Sequence, residues 1–217
     1  MICLLLGPPG CGKGTQGRLL SQWLGIQSLS TGSLLRSSAD EALSRHLAAG
    51  GFATDEMVNA IIRQRLEAEA TPRLILDGYP RTLDQAVYFD ALLNEMRLPA
   101  PLAIHLRVST ESLEERLVNR RQCQGCGRVF NVRVDPPRQV NRCDDCDMEL
   151  APRADDEAAT VRRRLATYNQ VTAPVVDHYR SCGHLLNFDG DQHPSDVFAQ
   201  VRAALHMSAA TRGWDPK

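Results

Sequence analysis

Apolar residues in this chain fall into short unbroken runs separated by segments with a helical repeat. Ile2-Cys3-Leu4-Leu5-Leu6 is continuous, as expected of a strand inside a parallel sheet covered on both faces. Thr15–Leu24 follows with Leu19, Leu20, Trp23 and Leu24 on one helical face. Gln27–Ser30 reads as a short strand. Thr54–Ala70 reads as a helix capped by Thr54, with Met57, Ile61 and Ile62 inward. Leu74-Ile75-Leu76-Asp77 is a second buried strand that stops at Gly78-Tyr79-Pro80, and Leu83–Met96 is helical. Ala103–Val108 is a strand with Ile104, Leu106 and Val108 on one side, followed by a helix over Ser109–Asn119 capped by Ser109. Leu185–Phe188 is the last strand. Pro194–His206 is the last helix, with Val197, Val201 and Leu205 four residues apart. Strands separated by helices predict a parallel sheet with right-handed crossovers. Residues 121–152 break the rhythm with four cysteines, two consecutive prolines and no helical period, which marks a small inserted module. Residues 207–217 show no strong period and are expected to fray.

Composition narrows this picture only slightly. The 217 residues suit one domain with an insertion or two small domains. Hydrophobic residues are 43% and charged residues 24%, ordinary for a soluble protein. A net charge of −1 provides no global field to draw nucleic acid or an anionic membrane. No apolar stretch approaches a membrane span. The N-terminal run lacks a basic start and passes straight into glycines, so it reads as a strand and not as a signal peptide. The expected location is the cytoplasm, where seven cysteines stay reduced unless they hold metal.

Charge usage is more informative than net charge. Lys13 and Lys217 are the only lysines beside 23 arginines. Lys13 sits in Gly7-Pro8-Pro9-Gly10-Cys11-Gly12-Lys13-Gly14-Thr15, directly after the first strand and before the first helix. Backbone N–H groups of such a turn, with one mobile lysine, cradle phosphates. A flexible point charge suits two phosphates touched at once, where a rigid planar fork fits badly. The general G-x-x-x-x-G-K-[ST] pattern fails by one position, because Gly14 follows Lys13 and the hydroxyl comes at Thr15. The variant G-x-P-G-x-G-K-G-T is narrower and typical of nucleoside monophosphate kinases.

Further segments carry a resemblance that covers nearly the whole chain. Ser30-Thr31-Gly32 with Leu35-Arg36, Asp77-Gly78-Tyr79-Pro80-Arg81, and Gln85 four residues on, together resemble the adenylate kinase family, in its bacterial long-lid form. The resemblance implies a P-loop α/β fold with a parallel five-stranded sheet flanked by helices. A core (1–29, 54–118 and 157–217) would carry a short NMP-binding segment (30–53) and a lid (119–156). It implies phosphoryl transfer from Mg²⁺-bound ATP to AMP, giving two ADP. Gly10, Cys11, Gly12, Lys13, Gly14 and Thr15 would bind ATP, with Arg116, Arg120, Gln192 and a lid slot at Val129-Phe130. Thr31, Arg36, Gly51, Phe52, Ala53, Gly78, Tyr79, Pro80, Arg81 and Gln85 would bind AMP. Arg153 and Arg164 would converge on the transferring group, and Asp77 would hold Mg²⁺ through water. The partners implied are nucleotides alone, for a monomer that binds neither nucleic acid nor membrane.

Residue chemistry stands beside the resemblance. A glutamine amide offers a base edge both a donor and an acceptor. Arg116 and Arg120, four apart, project from one helical face, and planar guanidinium forks suit phosphate. Arg162 and Arg163 read as a solvated helix face. Cys123-x-x-Cys126 and Cys143-x-x-Cys146 are separated by 16 residues, which fits a structural tetrahedral Zn²⁺ site. Disulfides are the rival reading. Departures from the family pattern exist. Ser33 stands where an Asp is usual, and the stretch between Arg36 and Thr54 is short. A kinase for another nucleoside monophosphate (UMP or CMP), or a non-catalytic nucleotide-sensing zinc-ribbon protein, therefore stay open.

Overall fold

The computed structural model describes residues 1–30, 54–153, 156 and 158–212. Strand β1 (Ile2–Leu6) is buried along its whole length, because neighbours pair with it on both edges and helices cover both faces. It pairs in parallel with β3 (Leu74–Asp77) on one side and β4 (Leu102–Arg107) on the other. β2 (Gln27–Ser30) flanks β3, and β8 (Leu185–Asp189) flanks β4. The order β2-β3-β1-β4-β8 reverses direction at β1. Ligands of open parallel sheets bind at such a point, outside the carboxyl ends of the strands. The glycine-rich loop after β1 and the Asp77–Arg81 turn after β3 both lie at that edge.

Helices close the two faces. Helix α1 (Lys13–Leu24) begins two residues before the predicted start and buries Gln16, Gly17, Leu20 and Leu24. Leu19 and Trp23 are only half-buried, so the inward face is rotated from the one the sequence suggested. Leu20 is 0% exposed, within the cluster that joins α1 to Leu5, Ile75 and Val201. Leu20→Ala should destabilise the protein by about 2–5 kcal/mol through the cavity it opens. A chemical denaturation midpoint that does not move would count against that packing.

Helix α2 (Asp55–Glu67) starts at Thr54, whose hydroxyl accepts from the Met57 N–H at 3.4 Å. It buries Val58, Ile62 and Leu66; Met57 and Ile61 are half-buried, a one-position rotation from the predicted face. Helix α3 (Leu83–Glu95) is capped by Thr82 and packs Phe89 edge-on against Tyr79, with centroids 5.4 Å apart. Helix α4 (Thr110–Val118) is capped by Ser109 as expected.

Residues 120–151 form a separate antiparallel sheet of β5 (Arg120–Cys123), β6 (Val129–Asn131) and β7 (Leu150–Ala151), in the order β6-β5-β7. These strands are too short to show a sequence period. Beyond them lie α5 (Ala158–Thr167), a π turn (Tyr168–Thr172) and α6 (Ala173–Ser181), which the hydrophobic pattern did not reveal. Helix α7 (Pro194–Arg212) runs past the predicted end at His206, so residues 207–212 continue the helix where the sequence predicted fraying. Among the described residues no helix is long and apolar enough to cross a membrane.

Candidate active site

The loop after β1 is shaped by glycine. Gly7, Gly10 and Gly12 have φ of 145°, 87° and 99°, a region that side chains rarely adopt. At Gly7 a Cβ would also lie 2.6 Å from Cys11 Sγ and 2.8 Å from the Leu106 carbonyl. The chain therefore wraps tightly around the N-terminus of α1, whose first-turn N–H groups suit an anion. Lys13 Nζ folds back over this loop and donates to the carbonyls of Gly7 at 2.7 Å and Pro8 at 2.9 Å. Cys11 is buried, with its Sγ 3.6 Å from the same ammonium.

Asp77 ends β3 in register with Leu5, which brings its carboxylate to the loop. A Cβ on Gly14 would lie at ordinary contact distance, 3.7 Å, from Asp77 Oδ2, which sets the carboxylate beside the start of α1. Burial pushes the Asp77 carboxyl above its usual range, and the charges of Lys13 and Arg81 pull it back. A carboxylate between two cations at a strand's carboxyl end is a hard oxygen donor suited to Mg²⁺.

The Gly78–Arg81 turn splits its side chains between core and cleft. Tyr79 is buried, its hydroxyl donating to Asn59 Oδ1 at 2.8 Å, and burial raises its phenol well above normal. Tyr79 therefore offers the cleft its backbone alone. Arg81 is exposed, and its Nε donates to the Gly78 carbonyl at 2.8 Å. Gln85, only 4% exposed, accepts from the Arg81 N–H at 2.7 Å and donates to Asp55 Oδ1 at 2.7 Å. The structure thus joins Gln85 to the Arg81 backbone and to Asp55, a residue the sequence reading missed. Thr31, Arg36, Gly51, Phe52 and Ala53 lie outside the described residues.

Three arginine positions converge through a residue to which the sequence reading gave no role. Asp156 has a side chain 4% exposed and holds Arg120 through both nitrogens, at 2.6 and 2.5 Å. Its Oδ1 also accepts from Arg164 Nη1 at 3.3 Å, and its backbone N–H donates to the Arg153 carbonyl at 3.1 Å. One buried carboxylate between two guanidinium groups fixes their directions and offsets their repulsion. The sequence shows it only as one of two aspartates just past Arg153, with nothing to mark the arginines it will hold. Arg162 and Arg163 are exposed, as expected of a solvated face.

Arg116 and Gln192 meet beside the loop. They line a cavity of about 30 Å³ with Gly12, Thr15, Gln16 and Val197. Gln16 Nε2 donates to the Pro194 carbonyl at 2.9 Å, while its buried Oε1 has no hydrogen-bond partner among the described residues. A larger cavity, about 340 Å³, adjoins Pro8 but is lined mainly by His105, Arg107, Tyr168 and Arg180, away from the loop glycines.

Two turns of matching design bring the four cysteines together. Cys123 N–H donates to the Arg128 carbonyl and Gly127 N–H to the Cys123 carbonyl, at 2.9 and 3.2 Å. Cys143 repeats this with Met148 and Asp147, both at 2.9 Å. The fifth residue of each turn is left-handed, Gly127 at φ 76° and Asp147 at φ 57°. All four Sγ atoms lie within 4.8 Å of one another, with Cys123–Cys146 at 3.3 Å and Cys126–Cys143 at 3.5 Å. Tetrahedral Zn–S bonds of about 2.3 Å imply sulfur separations near 3.8 Å, so the set fits zinc. A disulfide needs about 2.05 Å, and all four are free thiols. The Cys126 N–H, 3.4 Å from Cys123 Sγ, pulls that thiol down, whereas burial and the neighbouring thiols push Cys126 and Cys146 up. Phe130 is buried with Cys123, Cys143 and Leu150, and Arg128 covers its ring at 4.4 Å. Any contact of Phe130 with a nucleotide therefore falls to its backbone, whereas Val129 is exposed.

Comparison with known proteins agrees with this geometry. The family model described as adenylate kinase matches residues 5–184. An adenylate kinase of Syntrophomonas wolfei subsp. wolfei is 38% identical over 212 residues, covering 94% of this chain and 99% of its own. One from Nitrosococcus oceani is 42% identical over 216 residues, covering 96% and 100%. One from Archaeoglobus fulgidus is 37% identical over 212 residues, covering 94% and 98%. Since the match runs through the phosphate loop, the Asp77–Arg81 turn and the cysteine module, the chain belongs to the adenylate kinase family.

Proposed function

We propose that this chain transfers the γ-phosphoryl group of ATP reversibly to AMP, yielding two ADP. The observation that supports this reading is the Lys13 loop and the Asp77–Arg81 turn side by side at one sheet edge, where the charges of Lys13 and Arg81 both act on Asp77. The arginines held by Asp156 add a separate cationic cluster.

In this reading the loop N–H groups from Gly10 to Thr15 take the ATP phosphates. Lys13 exchanges its carbonyl partners for phosphate oxygens. Arg116 and Gln192 border the ATP base, with Val129 and the Phe130 backbone closing over it from the lid. AMP lies against Gly78, Tyr79, Pro80 and Arg81, read by Gln85, with Thr31, Arg36, Gly51, Phe52 and Ala53 completing the pocket. Arg120, Arg153 and Arg164 face the charge that develops on the group in flight. Transfer is in line, so no nucleophile from the protein is needed. Asp77 would hold Mg²⁺, which neutralises phosphate charge when bound. Closing residues 119–156 over the cleft excludes water, which would otherwise hydrolyse ATP. Cys123, Cys126, Cys143 and Cys146 would hold one Zn²⁺. Four thiolates leave no open coordination position, so this metal stabilises the lid and takes no part in transfer.

Supplying ADP and Mg²⁺ alone tests the reaction. ATP and AMP should appear in equal amounts. ATP without AMP, or no reaction, defeats the reading. AMP, UMP and CMP offered in turn with ATP identify the acceptor.

A further inference from the structure

Gln85 has its amide fixed at both ends by groups that cannot exchange roles. The Arg81 backbone N–H is only a donor, and it meets Oε1 at 2.7 Å. The Asp55 carboxylate, when ionised, is only an acceptor, and it meets Nε2 at 2.7 Å. Turning the amide over would set donor against donor at one end and acceptor against acceptor at the other. Asp55 is itself held, because its other oxygen accepts from the Thr82 hydroxyl at 2.6 Å. Thr82 in turn caps the helix that carries Gln85, accepting from its backbone N–H at 3.1 Å. The first residue of α2 and the first turn of α3 thereby form one closed network.

We infer that Asp55 is a positioning residue that sets purine specificity by forbidding the flip of the Gln85 amide. The inference rests on the reading that Gln85 faces the acceptor's base. With one bond spent at each end, Gln85 keeps one N–H and one oxygen lone pair in a single orientation. Adenine offers an amino donor at position 6 beside an acceptor at N1. Hypoxanthine and guanine offer a carbonyl acceptor at position 6 beside a donor at N1. A fixed amide can pair with one of these edges and opposes the other, whereas an amide free to flip accepts both. Specificity at the base then resides in a carboxylate that is bound to the reader and not to the base.

The test compares Asp55→Asn with the unaltered protein, using AMP and inosine 5′-monophosphate as acceptors at saturating ATP. The substituted amide can donate or accept, so one end of the lock is released while size is kept. The ratio of kcat/KM for AMP over inosine monophosphate should fall by roughly tenfold or more. The change should appear in the acceptor KM values, with the ATP KM unmoved. Both acceptors are measured on one preparation, so any inactive fraction cancels from the ratio. A purely structural role for Asp55 would lower both acceptors together and leave the ratio in place; a ratio within twofold of the unaltered protein overturns the inference. If the unaltered protein does not phosphorylate AMP at all, the functional reading fails first and takes this inference with it.

Discussion

Lys13→Met lowers phosphoryl transfer by about 10²–10³-fold with the fold in place, on the scale of losing one preorganised donor to the transition state. The lysine sits at the N-terminal residue of α1, with its ammonium over the loop and bonded to the Gly7 and Pro8 carbonyls. Methionine fills a similar volume but offers no cation. Phosphate repulsion then falls on backbone N–H groups alone. The two lost hydrogen bonds cost about 1–3 kcal/mol each, because Gly7 and Pro8 are buried, against about 5–15 kcal/mol that holds a folded protein together. Structure is therefore retained while chemistry is not. Steady-state transfer and a thermal melt on the same sample separate the two. Turnover like that of the unaltered protein would remove Lys13 from the mechanism. Lys13→Arg should not restore activity, since a planar guanidinium cannot reach two points as a compact ammonium does.

The second large effect concerns the cysteines. Cys143→Ser should abolish zinc retention and loosen residues 120–151, leaving the parallel sheet folded. The reason is the size of this module's core. Its buried cluster is Cys123, Phe130, Cys143 and Leu150, and two of these are themselves proposed ligands. So few apolar side chains cannot offset the entropy of ordering some thirty residues, at about 1 kcal/mol or more each. Structural zinc contributes about 10–16 kcal/mol of apparent binding energy in comparable small sites. Metal analysis should find one zinc per chain in the reduced protein and almost none in the variant. Hydrogen exchange should lose protection across β5–β7 while β1 and β4 stay protected. Less than about half an equivalent in the unaltered protein sinks the zinc assignment. Full lid protection without metal would falsify the argument from core size.

How far the sequence was legible depended on the kind of signal. The buried strands showed as continuous apolar runs, and the caps at Thr54, Thr82 and Ser109 accept the bonds their chemistry predicts. Only the first and last of these were anticipated. Helix α5 showed only as a solvated face at Arg162 and Arg163, and α6 not at all, because their amphipathic pattern is interrupted by the π turn at Tyr168–Thr172. The inward faces of α1 and α2 were misplaced by about one position, because which side chains are buried depends on the sheet they meet and not on the helix alone.

The candidate site divides in the same way. The loop glycines, Lys13, the Asp77–Arg81 turn and the paired cysteines are local features. Each depends on neighbours within a few residues, so spacing in the chain was enough to expose them. Family membership, phosphate chemistry and the four-cysteine cluster were therefore readable before any fold. Asp156 between Arg120 and Arg164, and Asp55 against Gln85, could not be read this way. Their partners lie 36, 8 and 30 residues apart and meet only when separate elements pack. A lone aspartate carries no mark of the cation or amide it will face. The tertiary structure alone decided which carboxylate holds Arg120 and Arg164 and which one fixes the Gln85 amide, because hydrogen bonds of that kind are set by packing and not by spacing.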